Sequence, residues 1–207
     1  PLKEEAHQLQ VTCDELSLGI GSSNTLYKKE GRGFGTSTDG LGFLAALAAQ
    51  GFSDFSNALI LGAGGTARAV AGALDGSVKT LSVMGRTSTR RNALERCVER
   101  SDFTYLPWHN DPDINSYDLI INTTPAGAAD LLAENLPAQV SGLLFDVIYK
   151  PWPTVLAKKW SNVGAPVISG LELLLYQGID QLRLVSAKEF DTEKLASTLR
   201  EKLSSAR

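Results

Sequence analysis

The stretch LILGAGGTARAV places Gly62, Gly64 and Ala67 in G-x-G-x-x-A spacing between an apolar run and a helical pattern. Glycine at the first position permits a tight turn, and glycine at the second lets backbone approach a phosphate. A small residue at the third keeps the helix close to the strand. Free amides at the start of such a helix, aided by its dipole, attract a pyrophosphate. Gly62, Ala63, Gly64, Gly65, Thr66 and Ala67 are therefore a candidate dinucleotide site. Glycine turns also arise for packing alone. Here the strand before, the helix after and the strand–helix units downstream favour the nucleotide. About 20 residues further on, an Asp or Glu commonly meets a free ribose 2′-hydroxyl. At that place the sequence reads MGRTSTRR, with no acid and with Arg86, Arg90 and Arg91. Guanidinium groups match the geometry of a phosphate, which points to the 2′-phosphate of NADP. The competing reading is a solvated helix start that happens to be basic, but a basic first turn opposes the helix dipole and needs a reason.

Such a site needs elements to hold it. NALILGAG reads as a buried strand, and in TARAVAGAL the residues Ala67, Val70, Ala71 and Leu74 form a helical stripe. KTLSVMG is a second strand, followed by a charged helix over about 89–100. FTYLPW, YDLIINTTP, GLLFDVIY and APVISG are further strands, the last leading into the apolar helix LELLLYQGIDQLRLV. This alternation predicts an α/β fold with a doubly wound parallel sheet. Ahead of it, TLYKKEGRGFGTST reads as a hairpin turning at Glu30–Gly31. TDGLGFLAALAAQG reads as a helix with Thr38 or Asp39 as its N-cap and Gly51 as its stop. The front section is too discontinuous for a core of its own. The final amphipathic helix, with Leu195, Leu199 and Leu203 on one side, is expected to cover it.

Composition narrows the classes of function. Of 207 residues, 43 % are hydrophobic, enough for a core. A formal net charge of −3 gives no general case for nucleic acid. No apolar run is long enough to span a membrane. Cys13 and Cys97 are isolated and read as reduced thiols of a cytoplasmic protein. His7 and His109 are solitary, so no metal site is expected.

Beyond these readings, the chain resembles the shikimate dehydrogenases, which reduce 3-dehydroshikimate with NADPH. The motifs that carry the likeness run in family order over nearly the whole chain: PLKEEA, SNTL with GTSTDGLGF, LGAGGTARAV, GRTSTR, IINTTPAG, DVIYKPWPT and GLELLLYQG. The resemblance implies that PLKEEA is the second half of the family's V-T-x-P-x-K element, with Lys3 the catalytic lysine and Asp39 its partner. Asn24, Tyr149 and Gln177 would then face the substrate. Arg86, Thr87 and Arg90 would hold the 2′-phosphate, while Thr123 or Thr124, Val147 and Gly170 would line the nicotinamide side. Residue types alone leave other readings open. Lys3 sits beside two glutamates as in a solvated helix start, Asp39 suits an N-cap, Asn24 a turn and Tyr149 the core. Gln177, an amide in an apolar helix, needs a partner. Three departures from the family are visible: Ser37 and Gly85 stand where asparagine is commoner, and GSSNT replaces GAVNT.

The implied chemistry is coherent. Hydride transfer to a ketone creates an alkoxide, which a positioned lysine can protonate or stabilise. A neighbouring carboxylate orients that lysine and shares its titration. The expected organisation is a remnant of a substrate domain at 1–38, a linking helix at 39–57, a Rossmann-type NADP-binding domain at 58–170, and C-terminal helices at 171–207. The expected partners are NADP and a small-molecule substrate, shikimate or 3-dehydroshikimate, with no nucleic acid and no membrane, in a monomer or homodimer. With the upstream part of the substrate domain absent, the chain is expected to bind NADP(H) and to turn over poorly. The alternatives are a relative acting on quinate or preferring another cofactor, and a non-catalytic NADP-binding module.

Overall fold

The chain begins with a short helix α1 (Leu2–Glu5), a two-residue strand β1 (Thr12–Cys13) and helix α2 (Glu15–Ile20). A hairpin of β2 (Thr25–Lys29) and β3 (Arg32–Thr36) follows, then helix α3 (Asp39–Ala49). The computed structural model describes residues 2–6, 9, 11–108 and 111–205. His7 and His109, weighed above as metal ligands, lie outside the described residues. The hairpin turns where expected: Glu30 and Gly31 both have positive φ, 52° and 77°. Two such residues match the twist of the flanking strands. Tyr27 pairs with Phe34 across it, their rings stacked 5.5 Å apart. β1 adds to β3 in parallel, giving a three-stranded sheet in the order β1-β3-β2.

Two elements here escaped the sequence reading. β1 is too short to show a period. α2 spans less than two turns and is defined by its ends. The Asp14 carboxylate accepts from Ser17 N at 2.7 Å, and Gly21 closes the helix in the left-handed region. Ile20 at its end enters the main hydrophobic core, so this segment is not a separate body.

From residue 57 the chain alternates strand and helix: β4 (Asn57–Leu61), α4 (Gly65–Leu74), β5 (Thr80–Gly85), α5 (Arg91–Glu95), β6 (Asp102–Pro107) and β7 (Leu119–Asn122). Then come α6 (Asp130–Glu134), β8 (Leu143–Asp146), α7 (Val155–Asn162), β9 (Val167–Ser169), α8 (Gly170–Ser186) and α9 (Thr192–Ser205). The six strands form one parallel sheet in the order β6-β5-β4-β7-β8-β9. The order reverses beside β4, so the crevice at the strand ends opens between β4 and β7. Both faces are covered, which explains the unbroken apolar runs. Ala58 and Ile60 point to a core shared with Phe43, Val70 and Phe145. Leu59 and Leu61 point the other way, towards Ile120, Leu156 and Trp160.

Two expectations need correction. The helix expected over 89–100 is a 3-10 turn at Ser88–Arg90 followed by α5, which stops at Glu95. The Asp75 carboxylate accepts from the backbone N–H of Arg100 and of Ser101, each at 2.9 Å, and draws the chain out of the helix. The closing helix α9 packs on α8, with Ala196 buried and Arg200 forked onto Glu172 at 2.9 and 2.7 Å. Its main partner is therefore α8, since a charge pair as well as an apolar stripe selects it. Of the two N-cap candidates of α3, Thr38 holds the position and its carbonyl accepts from Gly42 N at 2.9 Å, while its side chain does not cap; Asp39 is the first helical residue.

α3 is held by close contact on two sides. A Cβ at Gly40 would lie 2.8 Å from the Ala69 carbonyl of α4, and one at Gly42 would lie 2.7 Å from Gln177 N of α8. Both neighbours are backbone and cannot step aside. Gly42→Ala is expected to destabilise the protein by roughly 1–3 kcal/mol through overpacking. Thermal unfolding checks this; an unchanged Tm would contradict the packing described.

Candidate functional site

Three distant pieces of chain meet at the start of α3. Lys3 Nζ donates to Asp39 Oδ2 at 2.6 Å, and Asn24 Nδ2 donates to Asp39 Oδ1 at 2.7 Å. Asp39 is buried at 5 % exposure while the Lys3 side chain is 42 % exposed. The carboxylate is thus fixed and the ammonium reaches solvent. The helix N-terminus also favours an acid at this place. Thr66, in the first turn of α4, stands 3.5 Å from Lys3 Nζ and 3.4 Å from Asp39 Oδ2.

The amides around this pair are locked. Asn24 Oδ1 accepts from Thr38 N at 3.0 Å, which fixes its amide orientation and turns Nδ2 towards Asp39 and Gln177. Gln177 Oε1 also accepts from Gln181 Nε2, one helical turn on, at 2.8 Å. Together they wall a cavity of about 310 Å³ that also includes Thr66, Val147, Tyr149 and Gly170. Tyr149 is 49 % exposed and borders this cavity, so it is not a core residue.

A larger cleft of about 710 Å³ opens at the ends of β4, β5 and β7. Its walls include Gly62, Ala63, Gly64, Arg86, Thr87, Arg90, Thr123 and Thr124. Gly62 has φ 105°, and a Cβ there would lie 2.5 Å from Thr123 Oγ1, so no other residue fits. Gly64 is the N-cap of α4 without any capping side chain, which leaves the first amides of a ten-residue helix for a ligand. The rest of the turn lies elsewhere. Gly65 faces Ser22 and Lys3, Thr66 borders the smaller cavity, and Ala67 is fully buried against the sheet. The two hollows meet at the start of α4, with Gly64 on one side and Thr66 on the other.

Arg90 is half exposed, yet its guanidinium is tethered to the crevice wall. Its Nη1 donates to the Ala63 carbonyl at 3.3 Å and lies 3.6 Å from Glu4 Oε1. Glu4 also binds Arg68 Nη2 at 2.9 Å, and Arg68 donates to the carbonyls of Ile20 and Gly21 at 2.6 and 3.2 Å. The Arg68 hydrogen bond, followed by the charges of Arg68 and Arg90, outweighs burial and holds the Glu4 carboxyl below its ordinary range. The residue next to Lys3 is therefore tied to both the glycine turn's helix and the basic loop.

Beneath the crevice lies a second buried acid. Asp146, fully enclosed at the end of β8, accepts from Asn122 Nδ2 and Ile148 N at 3.1 Å and from Thr154 Oγ1 at 2.6 Å. Burial nevertheless pushes its carboxyl upward. Asn122 Oδ1 in turn accepts from Thr124 Oγ1 at 2.6 Å. This network sets the loop carrying Thr123 and Thr124 against the loop carrying Val147 and Tyr149. Sequence reasoning passed over Glu4, Arg68, Gln181 and Asp146, and it assigned Thr66 to the cofactor, whereas its hydroxyl stands beside Lys3 and Asp39. Arg68 left a signal, as a charge inside the otherwise apolar TARAV, and Gln181 falls four residues after Gln177. Asp146 left none, because one acid closing a strand is common. Among the described residues no group of three or more His, Cys, Asp or Glu gathers to hold a metal, and no helix is long and apolar enough to cross a membrane.

No family model matches the chain. Individual relatives do. A shikimate dehydrogenase (NADP(+)) of Pyrococcus furiosus is 34 % identical over 197 residues, covering 93 % of this chain and 70 % of that protein. The crystal structure of a shikimate dehydrogenase of Mycobacterium tuberculosis superposes with a TM-score of 0.84 at 28 % identity, over 96 % of this chain and 75 % of that one. A shikimate 5-dehydrogenase of Thermus thermophilus, solved with NADP(H) and shikimate, gives 0.79 at 32 % identity, over 97 % and 76 %. The chain spans 64–76 % of the length of the curated relatives it matches.

Glu4 supplies a pH test. Its folded pKa lies below the ordinary value of 4.5, so its contribution is present above that value and is lost as pH falls through the folded one. Glu4→Gln should lower Tm at neutral pH and match the parent protein in acid. A difference that persists unchanged into acid would show that the Glu4 charge does not bridge Arg68 and Arg90.

Proposed function

Because this chain belongs to the shikimate dehydrogenase family, we propose that it interconverts 3-dehydroshikimate and shikimate with NADP(H), as an oxidoreductase of the pathway to the aromatic amino acids. The observation that carries this reading is the 2.6 Å Lys3–Asp39 pair standing where the glycine turn's helix begins. A cofactor-binding module has no use for a buried carboxylate and an exposed ammonium paired at that point.

The residues divide the work by position. Gly62–Gly64 offer uncapped amides to a pyrophosphate, and Arg86, Thr87 and Arg90 stand on the same cleft for the 2′-phosphate. Thr123 and Thr124 guide the cofactor towards the smaller cavity, where Val147 and Gly170 receive its nicotinamide end. When bound, NADPH supplies the hydride. The chain's own groups manage the proton and the charge. Lys3, free on its solvent side, reaches the substrate carbonyl, gives a proton as the alkoxide forms, and stabilises the developing charge before that. Asp39 aims Lys3 and balances it when charged. Asn24 and Gln177, whose amides are already oriented, present hydrogen-bonding atoms to the ring hydroxyls, with Tyr149 at the mouth. Such preset donors add little reorganisation cost to the reaction.

In domain terms, we assign 1–38 to the substrate side, 39–57 to the linking helix, 58–170 to NADP binding and 171–207 to the returning helices. Cys13 and Cys97 are both free thiols, and burial pushes Cys97 up to about 11, so it is inert at neutral pH. Unpaired thiols suit the reducing cytoplasm, where we place the enzyme.

Steady-state kinetics on the protein, with any residues that adjoin this chain, tests the assignment. Lys3→Ala should lower kcat by about 10²–10⁴ with little change in NADPH affinity. An unchanged kcat would remove Lys3 from the reaction. Replacing Arg86 and Arg90 together by alanine should raise KM for NADPH far more than for NADH, whereas equal losses would break the link to the 2′-phosphate.

A further inference from the structure

The end of β5 is built without a side chain. A Cβ on Gly85 would lie 1.9 Å from the Tyr105 hydroxyl oxygen and 2.8 Å from Cζ of the same ring. Any larger residue here would push that tyrosine aside. Tyr105 rises from the neighbouring strand β6, where it pairs with Val83, and its half-buried ring reaches along the sheet to the space above Gly85. There its hydroxyl donates to the Thr87 carbonyl at 2.6 Å.

Thr87 sits in the middle of an exposed segment, residues 86–92, that carries Arg86 and Arg90. Among the described residues, side-chain hydrogen bonds tie this segment to the sheet side at two points: Tyr105 to the Thr87 carbonyl, and Arg90 to the Ala63 carbonyl. The second must change if Arg90 turns to a phosphate. The first need not, because it uses a backbone carbonyl and leaves every cationic group free. Burial raises the Tyr105 phenol while the nearby Arg90 charge opposes it, so the hydroxyl keeps its proton and remains a donor at neutral pH.

We propose that Tyr105 is a positioning residue for cofactor selection: in the space a side chain at 85 would fill, its hydroxyl pins Thr87 and so sets Arg86 and Arg90 for a 2′-phosphate. The proposal rests on the NADP reading above. Positions 85 and 105 then act as one unit, with glycine at one required by tyrosine at the other.

Binding of two fragments, adenosine 2′,5′-bisphosphate and adenosine 5′-monophosphate, separates the claims. Tyr105→Phe should weaken the bisphosphate by roughly fivefold to tenfold, the scale of one lost hydrogen bond. It should leave the monophosphate and kcat with NADPH unchanged. Gly85→Ala, which pushes the hydroxyl off Thr87, should show the same selective loss. If the parent protein shows no preference for the bisphosphate, the NADP reading falls and takes this proposal with it. If the parent prefers the bisphosphate and Tyr105→Phe keeps that preference, or weakens both fragments equally, only the role of Tyr105 falls.

Discussion

The carboxylate of Asp39 is almost withdrawn from water and faces the Lys3 ammonium at 2.6 Å. Burying such a group is costly unless it is paired and hydrogen-bonded, and removing one partner leaves the other uncompensated. Much of the surrounding architecture can be understood as meeting that demand. Asn24 fills the second oxygen, Thr66 stands beside both partners, and α3 is clamped between α4 and α8 by glycine faces that allow backbone to touch backbone. A helix that could shift by even an ångström would leave the acid unpaired. Rigidity here is a condition of the charge.

The same segment is anchored from the other side by Glu4. Arg68 is buried and must place its donors, which it does on Glu4 and on the carbonyls that end α2. Glu4 also approaches Arg90, which rests on the glycine turn. The lysine of the proposed reaction and the arginine of the proposed cofactor site are thus separated by one carboxylate. Substrate side and cofactor side share a wall through ion pairs, not merely through proximity.

Where the sequence misled on helix length and docking, the cause was a long-range partner. The helix after β5 is cut short because Asp75 takes two backbone amides from beyond it. The closing helix chooses α8 because Glu172 awaits Arg200. α2 is defined by its two ends, which a periodicity argument does not weigh. By contrast, the four inner strands of the large sheet, β5, β4, β7 and β8, were legible because they are buried on both faces and so carry unbroken apolar runs. The glycine turn was legible because backbone geometry dictates residue type there directly: Gly62 has a conformation and a clearance that no side chain allows.

Local chemistry is what the amino-acid sequence settles unaided: the alternation that makes a doubly wound sheet, the turn at Gly62–Ala67, the basic run after β5, and through its motifs the family. Each depends on neighbours within a few residues or on one fixed spacing. Only the folded chain decides what faces what. It brings Lys3 to Asp39 and Gln177 to Asn24, gives Glu4 two arginines, and sets Tyr105 above Gly85. Those contacts join residues far apart in the chain, and a side chain's type does not state its partner. The partner is fixed when helices and sheets pack, because packing alone determines which polar groups lose water and must find each other.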